Sequence, residues 1–144
     1  MFKQGGQRRA LEMTKVIVID DEEDIRITLK EVLGRAGFEV EVASNGNEGM
    51  NLLREHGADL VITDIIMPGS DGVETAHNIR TEFPKTKIIV MSGGGNAAPL
   101  GYEPAAITKT AYLASAAAIG ADLTLTKPFD REELIKAAKE LTAH

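Results

Sequence analysis

The stretch from residue 16 to residue 21, Val-Ile-Val-Ile-Asp-Asp, decides how this chain is read. Four β-branched residues that stop abruptly at two carboxylates predict a short buried strand with Asp20 and Asp21 at its carboxyl end. Other apolar runs end in the same manner. Residues 60–63 lead into Asp64, residues 87–91 into Ser92, and residues 123–126 into Lys127. Residues 38–43 alternate as one further strand.

Helical patterns fall between these runs. Ile25, Leu29, Val32, Leu33 and Ala36 recur at helical spacing, closed by Gly37 where a C-terminal cap is wanted. Asn45-Gly46 turns the chain into a helix carrying Met50, Leu52 and Leu53, which ends near Gly57. Val73, Ala76, Ile79 and Phe83 mark another. The last has Asp130 placed to cap it, Glu133 three residues on, and Leu134, Ala137, Ala138 and Leu141 on one face. Strand-then-helix units in succession predict a five-stranded parallel sheet, doubly wound with helices on both faces, because parallel strands need crossovers and these are right-handed.

Bulk properties narrow the function. At 144 residues the chain suits one domain, long enough to bury roughly 68–70% of its unfolded surface. A net charge of -6 speaks against a nucleic-acid binder, whose affinity rests on clustered Lys and Arg. There is no cysteine, hence no disulfide framework and no thiolate metal site, which fits a cytoplasmic location. No apolar run has the length of a membrane span, so no membrane insertion is expected. Residues 1–13 read as a flexible tail or a cloning remnant and residues 14–144 as the folded domain. His56, His77 and His144 lack metal-ligand spacing and read as surface residues.

Ligands of open parallel α/β sheets sit beyond the carboxyl ends of the strands. Asp20, Asp21, Asp64, Ser92 and Lys127 all fall at such ends. Singly, each has a plainer explanation: Asp20-Asp21 could extend the acidic run Glu22-Glu23-Asp24 at a helix start, where negative charge is favoured by the dipole. Together they do not. Crowded carboxylates repel, and a hard divalent cation with oxygen ligands, magnesium above all, answers that repulsion. Lys127 alone cannot neutralise three of them.

The segments VIVIDDEEDIR, LVITDIIMPGSDG, IIVMSGG and LTLTKPF, in this order, resemble the receiver domain of two-component response regulators, the chemotaxis regulator among them. The resemblance runs from about Thr14 to the C-terminus and includes an intact DxxMPxxDG. It implies a flavodoxin-like sheet of strand order 2-1-3-4-5. It also implies that Asp64 is the phospho-acceptor, attacking a phosphoryl donor to form an aspartyl phosphate. Asp21 and Asp64 would hold Mg2+ directly with the backbone carbonyl of Ile66, and Asp20 through water. Lys127 would pair with Asp64 and then with the phosphoryl group, and Ser92 would bond a phosphoryl oxygen. Pro68 and Gly69 would shape the loop after Asp64, Asp71-Gly72 would start the next helix, and a cis peptide before Pro128 would aim Lys127. The donor would be a sensor histidine kinase or a histidine phosphotransfer protein, and the output would pass to a downstream protein.

Two departures from the family stand out. The position three residues before the lysine, aromatic in many receivers, is Thr124, which cannot reproduce an aromatic swing. The stretch between Ser92 and Lys127 is longer than usual, and the surplus falls at residues 93–109. Gly93-Gly94-Gly95 reads as a hinge, since a phosphate-cradling loop would need a following G-K-[ST]. The long loop is expected either to move as Ser92 draws on its base or to be a passive insertion. A helix is expected after it, over residues 112–119.

The expectation is a stand-alone receiver, a phosphorylation-controlled signalling module and not an enzyme acting on external substrates. Two other classes stay open. A phosphatase of the haloacid-dehalogenase type would use a DxD after the first strand, which Asp20-Asp21 lacks. A binding module with a vestigial site would not need the full acidic set.

Overall fold

The computed structural model describes residues 13–67, 70–92, 120–127 and 129–143, with the backbone alone at 66–67 and 70–73. Seven strands and four helices lie within them: β1 (Lys15–Ile19), α1 (Glu23–Arg35), β2 (Glu39–Ala43), α2 (Gly46–His56), β3 (Leu60–Asp64), β4 (Ile66–Met67), β5 (Ser70–Asp71), α3 (Gly72–Glu82), β6 (Lys87–Ser92), β7 (Leu123–Thr126) and α4 (Arg131–Thr142). Five of the strands form one parallel sheet in the order β2-β1-β3-β6-β7. In order along the chain this is the expected 2-1-3-4-5 arrangement.

Side-chain alternation divides the core into two layers. Val16, Val18, Leu60, Ile62, Ile89, Met91 and Leu125 face one way, against Leu29 and Leu33 of α1 and Leu134, Ala137 and Ala138 of α4. Ile17, Ile19, Val61, Ile88 and Val90 face the other way, against Met50 and Leu53 of α2 and Ala76 and Ile79 of α3. The central strands are covered on both faces, which explains why they read as unbroken apolar runs and not as alternating ones.

Helix ends follow local chemistry. Gly37, at φ 102°, closes α1. Its N–H donates to Gly34 O at 3.1 Å while that of Phe38 donates to Leu33 O at 3.0 Å, the paired bonds of a Schellman ending. This corrects the expected strand over residues 38–43. Phe38 belongs to the helix ending and is buried in the core, so β2 begins at Glu39. Asn45 Oδ1 accepts from Glu48 N at 2.8 Å, and Glu48 Oε1 accepts from Ser44 N at 2.6 Å, a reciprocal cap on α2. These bonds to Ser44 hold the Glu48 carboxyl below the usual carboxylate range. Asp130 caps α4 as expected, accepting from Glu133 N at 2.7 Å.

The strand ending at Met91 by sequence extends one residue further, so Ser92 is the last residue of β6. The two-residue strands β4 and β5 were not expected. They pair antiparallel, Ile66 with Asp71 and Met67 with Ser70, and deliver the chain to Gly72, the first residue of α3. Residues 1–12, Pro68, Gly69, residues 93–109, the helix expected over 112–119, Pro128 with its peptide bond, and His144 lie outside the described residues. His77 is exposed, and exposed His56 stands 2.9 Å from Glu41 Oε2. No helix among the described residues is long and apolar enough to cross a membrane.

Candidate functional site

Alternation along three strands brings Asp20, Asp64 and Lys127 to one face of the sheet. Val16 and Val18 face the layer of α1 and α4, so Asp20, two residues on, continues that row. Leu60 and Ile62 extend in the same way to Asp64, and Leu125 to Lys127. Ile19 pairs with Thr63 in register, so Asp20 and Asp64 are the next pair across adjacent strands. β6 lies between β3 and β7. The Lys127 side chain therefore reaches over β6, as its long flexible stem permits.

Its ammonium donates to Asp20 Oδ2 at 2.9 Å and to Asp64 Oδ2 at 3.3 Å. Both carboxylates are buried, and the lysine side chain is 13% exposed. Burial alone pushes the Lys127 ammonium down, and it is the largest single influence. The charges of Asp64 and Asp20, with the hydrogen bonds to them, together outweigh it and hold the lysine above its usual value. Lys127 is therefore a fixed cation at neutral pH. Buried carboxylates without such a partner would be costly.

Asp20 is held at every polar atom. Its N–H donates to Ala43 O at 3.0 Å, its Oδ1 accepts from Glu22 N at 2.8 Å, and its carbonyl oxygen accepts from Arg26 Nη1 at 2.7 Å. Asp21 is exposed. Asp20, Asp21 and Asp64 nevertheless present one carboxylate oxygen each within 4.8 Å of one another. Three carboxylates against one ammonium leave an excess of negative charge on hard oxygen donors, which suits a divalent cation. The residues present thus form a group that could hold a metal ion.

Other expected residues fall around this centre. Ser92 is fully buried, and its Oγ makes no hydrogen bond to the described residues. Its carbonyl oxygen accepts from Lys127 N at 3.0 Å, so the serine and the lysine share one backbone bond. Ile66 follows the end of β3 and pairs with Asp71. Thr124 pairs with Val90 in β7 and is exposed. By alternation it lies on the side of the sheet away from Leu125 and the carboxylates. Thr63, buried beside Asp64, donates its hydroxyl to Asp64 O at 3.1 Å. Sequence reasoning missed Arg26. Its only signal is a place in the first turns of α1, just after the acidic run.

A parallel doubly wound sheet with an acidic, lysine-bridged site at its carboxyl ends defines a class, and comparison with known proteins identifies it. Residues 16–101 match the family model of the response regulator receiver domain. A response regulator receiver domain protein from Clostridium thermocellum is 30% identical with a TM-score of 0.74, over 90% of this chain and 94% of that one. A chemotaxis response regulator of Vibrio cholerae is 28% identical with a TM-score of 0.71, over 90% and 99%. NtrX from Brucella abortus, solved in complex with ADP, is 26% identical with a TM-score of 0.77, but the match covers 91% of this chain and only 27% of NtrX. The chain belongs to the response regulator receiver domain family, the signalling modules of two-component systems.

Proposed function

We propose that this chain, over residues 14–144, works as a receiver in the cytoplasm, accepts a phosphoryl group on Asp64 in a Mg2+-dependent reaction, and switches partner binding or relays the group. The observation that carries the reading is the position of Asp64, buried in the same cluster as Asp20 and Asp21 and bridged to Asp20 by Lys127. Mg2+ would be held by Asp20, Asp21, Asp64 and the backbone carbonyl of Ile66, and when bound it supplies positive charge to the phosphoryl oxygens.

The chain's own groups perform the rest. An Asp64 carboxylate oxygen attacks the phosphorus of a phosphohistidine on a kinase or phosphotransfer protein. The new O–P bond forms as the donor N–P bond breaks, and the electron pair stays on the donor imidazole. Lys127 is charged throughout and already within reach of Asp64, so it can turn to a phosphoryl oxygen without a proton transfer. Ser92 Oγ, which makes no hydrogen bond among the described residues, can donate to another. Such a shell of charge and position is what phosphoryl transfer requires. The added group carries about -1.5 to -2 charge at neutral pH, by analogy with other phospho-residues. The states that differ in contacts to it are repopulated accordingly.

The test is intact-protein mass after incubation with acetyl phosphate and Mg2+, beside Asp64→Asn. The expected result is one phosphoryl adduct in the wild type, absent in the variant and absent without the metal. An adduct that persists in Asp64→Asn overturns the assignment. Adduct loss in Asp20→Asn with retention in Asp64→Asn would instead favour a phosphatase-like nucleophile on the first strand.

A further inference from the structure

We propose that Arg26 is a positioning residue for the acidic cluster: its guanidinium fixes the peptide joining Asp20 to Asp21, and with it the place from which the Asp21 carboxylate reaches a cation. The inference rests on the reading of the three carboxylates as a divalent-cation site.

The Asp21 side chain is exposed and makes no hydrogen bond to the described residues. Its location beside Asp20 and Asp64 is therefore a consequence of the backbone. The peptide between residues 20 and 21 is planar, so fixing its carbonyl oxygen fixes the plane from which Asp21 departs. Arg26 Nη1 makes that bond at 2.7 Å. The other polar atoms of Asp20 are tied to Ala43, Glu22 and Lys127; the bond from Glu22 N to Asp20 Oδ1 spans Asp21, and the Arg26 bond to the carbonyl oxygen completes the hold on its backbone.

Arg26 also forgoes the ordinary alternatives. Glu22 and Glu23 lie four and three residues before it, where helical ion pairs form. Yet no ion pair of Arg26 occurs among the described residues. Its charge acts on Glu48, whose carboxyl it helps to lower, while its hydrogen bond is given to a backbone carbonyl and not to a carboxylate.

This makes an opposite prediction to electrostatics. Arg26 is a cation near a cation site, so on charge alone its removal should tighten Mg2+ binding. Positioning predicts that removal weakens it.

The experiment titrates the full chain with Mg2+ alone, followed by amide NMR shifts of Asp21 and Glu22, in wild type, Arg26→Ala and Arg26→Lys. Arg26→Ala should bind Mg2+ about 10-fold more weakly, in the range seen when groups supporting metal ligands are removed. Arg26→Lys, which keeps one donor and the charge, should return to within about threefold of wild type. Amide shifts in β3 and β6 report whether each variant is folded. Should Arg26→Ala fail to fold, Arg26→Met, which keeps the apolar stem but has no donor, takes its place with the same expectation of weakened binding. Binding equal to or tighter than wild type overturns the proposal, as does weakening that Lys does not restore, since that assigns the loss to helix packing. A wild type that takes up no Mg2+ removes the metal site as well, whereas wild-type binding left unchanged in Arg26→Ala removes the positioning role alone.

Discussion

Lys127 stands closer to Asp20, at 2.9 Å, than to Asp64, at 3.3 Å, although Asp64 is on the nearer strand in sheet order. The lysine is anchored on the far carboxylate and lies across the near one. Asp20 acts as a counter-charge that holds the ammonium over Asp64.

Lys127→Met keeps the apolar stem and removes the charge, leaving two buried carboxylates without their cation. Removing one partner of a buried ion pair costs about 3–5 kcal/mol. In metal-free buffer the urea midpoint should fall by a corresponding amount. Added Mg2+ should then recover more stability in the variant than in the wild type. An unchanged midpoint would show that the carboxylates are neutralised by something other than this lysine.

Alkaline pH should separate the same two proteins. The Lys127 value is raised in the folded state, so its contribution is complete below the unfolded lysine value of about 10.4 and is lost as pH rises through the higher folded value. The difference in stability between wild type and Lys127→Met should therefore be flat from pH 7 to about pH 10 and shrink above that. A difference that shrinks between pH 7 and 9 would contradict the raised value.

Asp21→Asn removes the exposed member of the cluster. Without metal, relief of like-charge repulsion should stabilise the protein by up to about 1 kcal/mol. With millimolar Mg2+, the rise in Tm seen in the wild type should be lost, because stabilisation by a ligand requires its site. Thermal unfolding of both proteins with and without Mg2+ reads both effects. A variant that is less stable without metal and keeps the Mg2+ response would remove Asp21 from the site.

Two helical glycines should respond with opposite sign to the same substitution. A Cβ at Gly49 in α2 would run into the side chain of Ile19, which is fully buried. Gly49→Ala should destabilise by about 1–3 kcal/mol, the usual cost of overpacking, despite the better helix propensity of alanine. At Gly34 in α1 no atom lies within 4 Å of an added Cβ, and Gly34→Ala should stabilise by about 0.5–1 kcal/mol. Equal effects at the two sites, measured by urea unfolding, would deny the Gly49–Ile19 contact its role in seating α2.

The parts of the molecule legible in advance are those written in neighbouring residues. The run before Asp20 and the run before Asp64 announce strands because β-branched residues stop at a carboxylate. Asn45 and Asp130 announce helix starts because their side chains bond amides only three residues away. Phe38 misled for a related reason: its alternation with Val40 and Val42 suits a strand, but its N–H is already committed to Leu33 O by the helix ending. The β4–β5 pairing escaped notice because two-residue strands carry no periodicity.

The sequence by itself thus determined the five sheet strands and the four described helices, their order and the placing of acidic, hydroxyl and amine groups at strand ends, because those features depend on local spacing. Only the tertiary structure decided which groups meet. Lys127 finds Asp20 across 107 residues of chain because β1 lies beside β3 and both Asp20 and Lys127 continue the same row of alternating side chains. Arg26 donates to the carbonyl of Asp20 because the turn into α1 brings that oxygen within reach of its guanidinium. Strand neighbourhood and backbone direction are properties of the assembled sheet, and no stretch of sequence carries them alone.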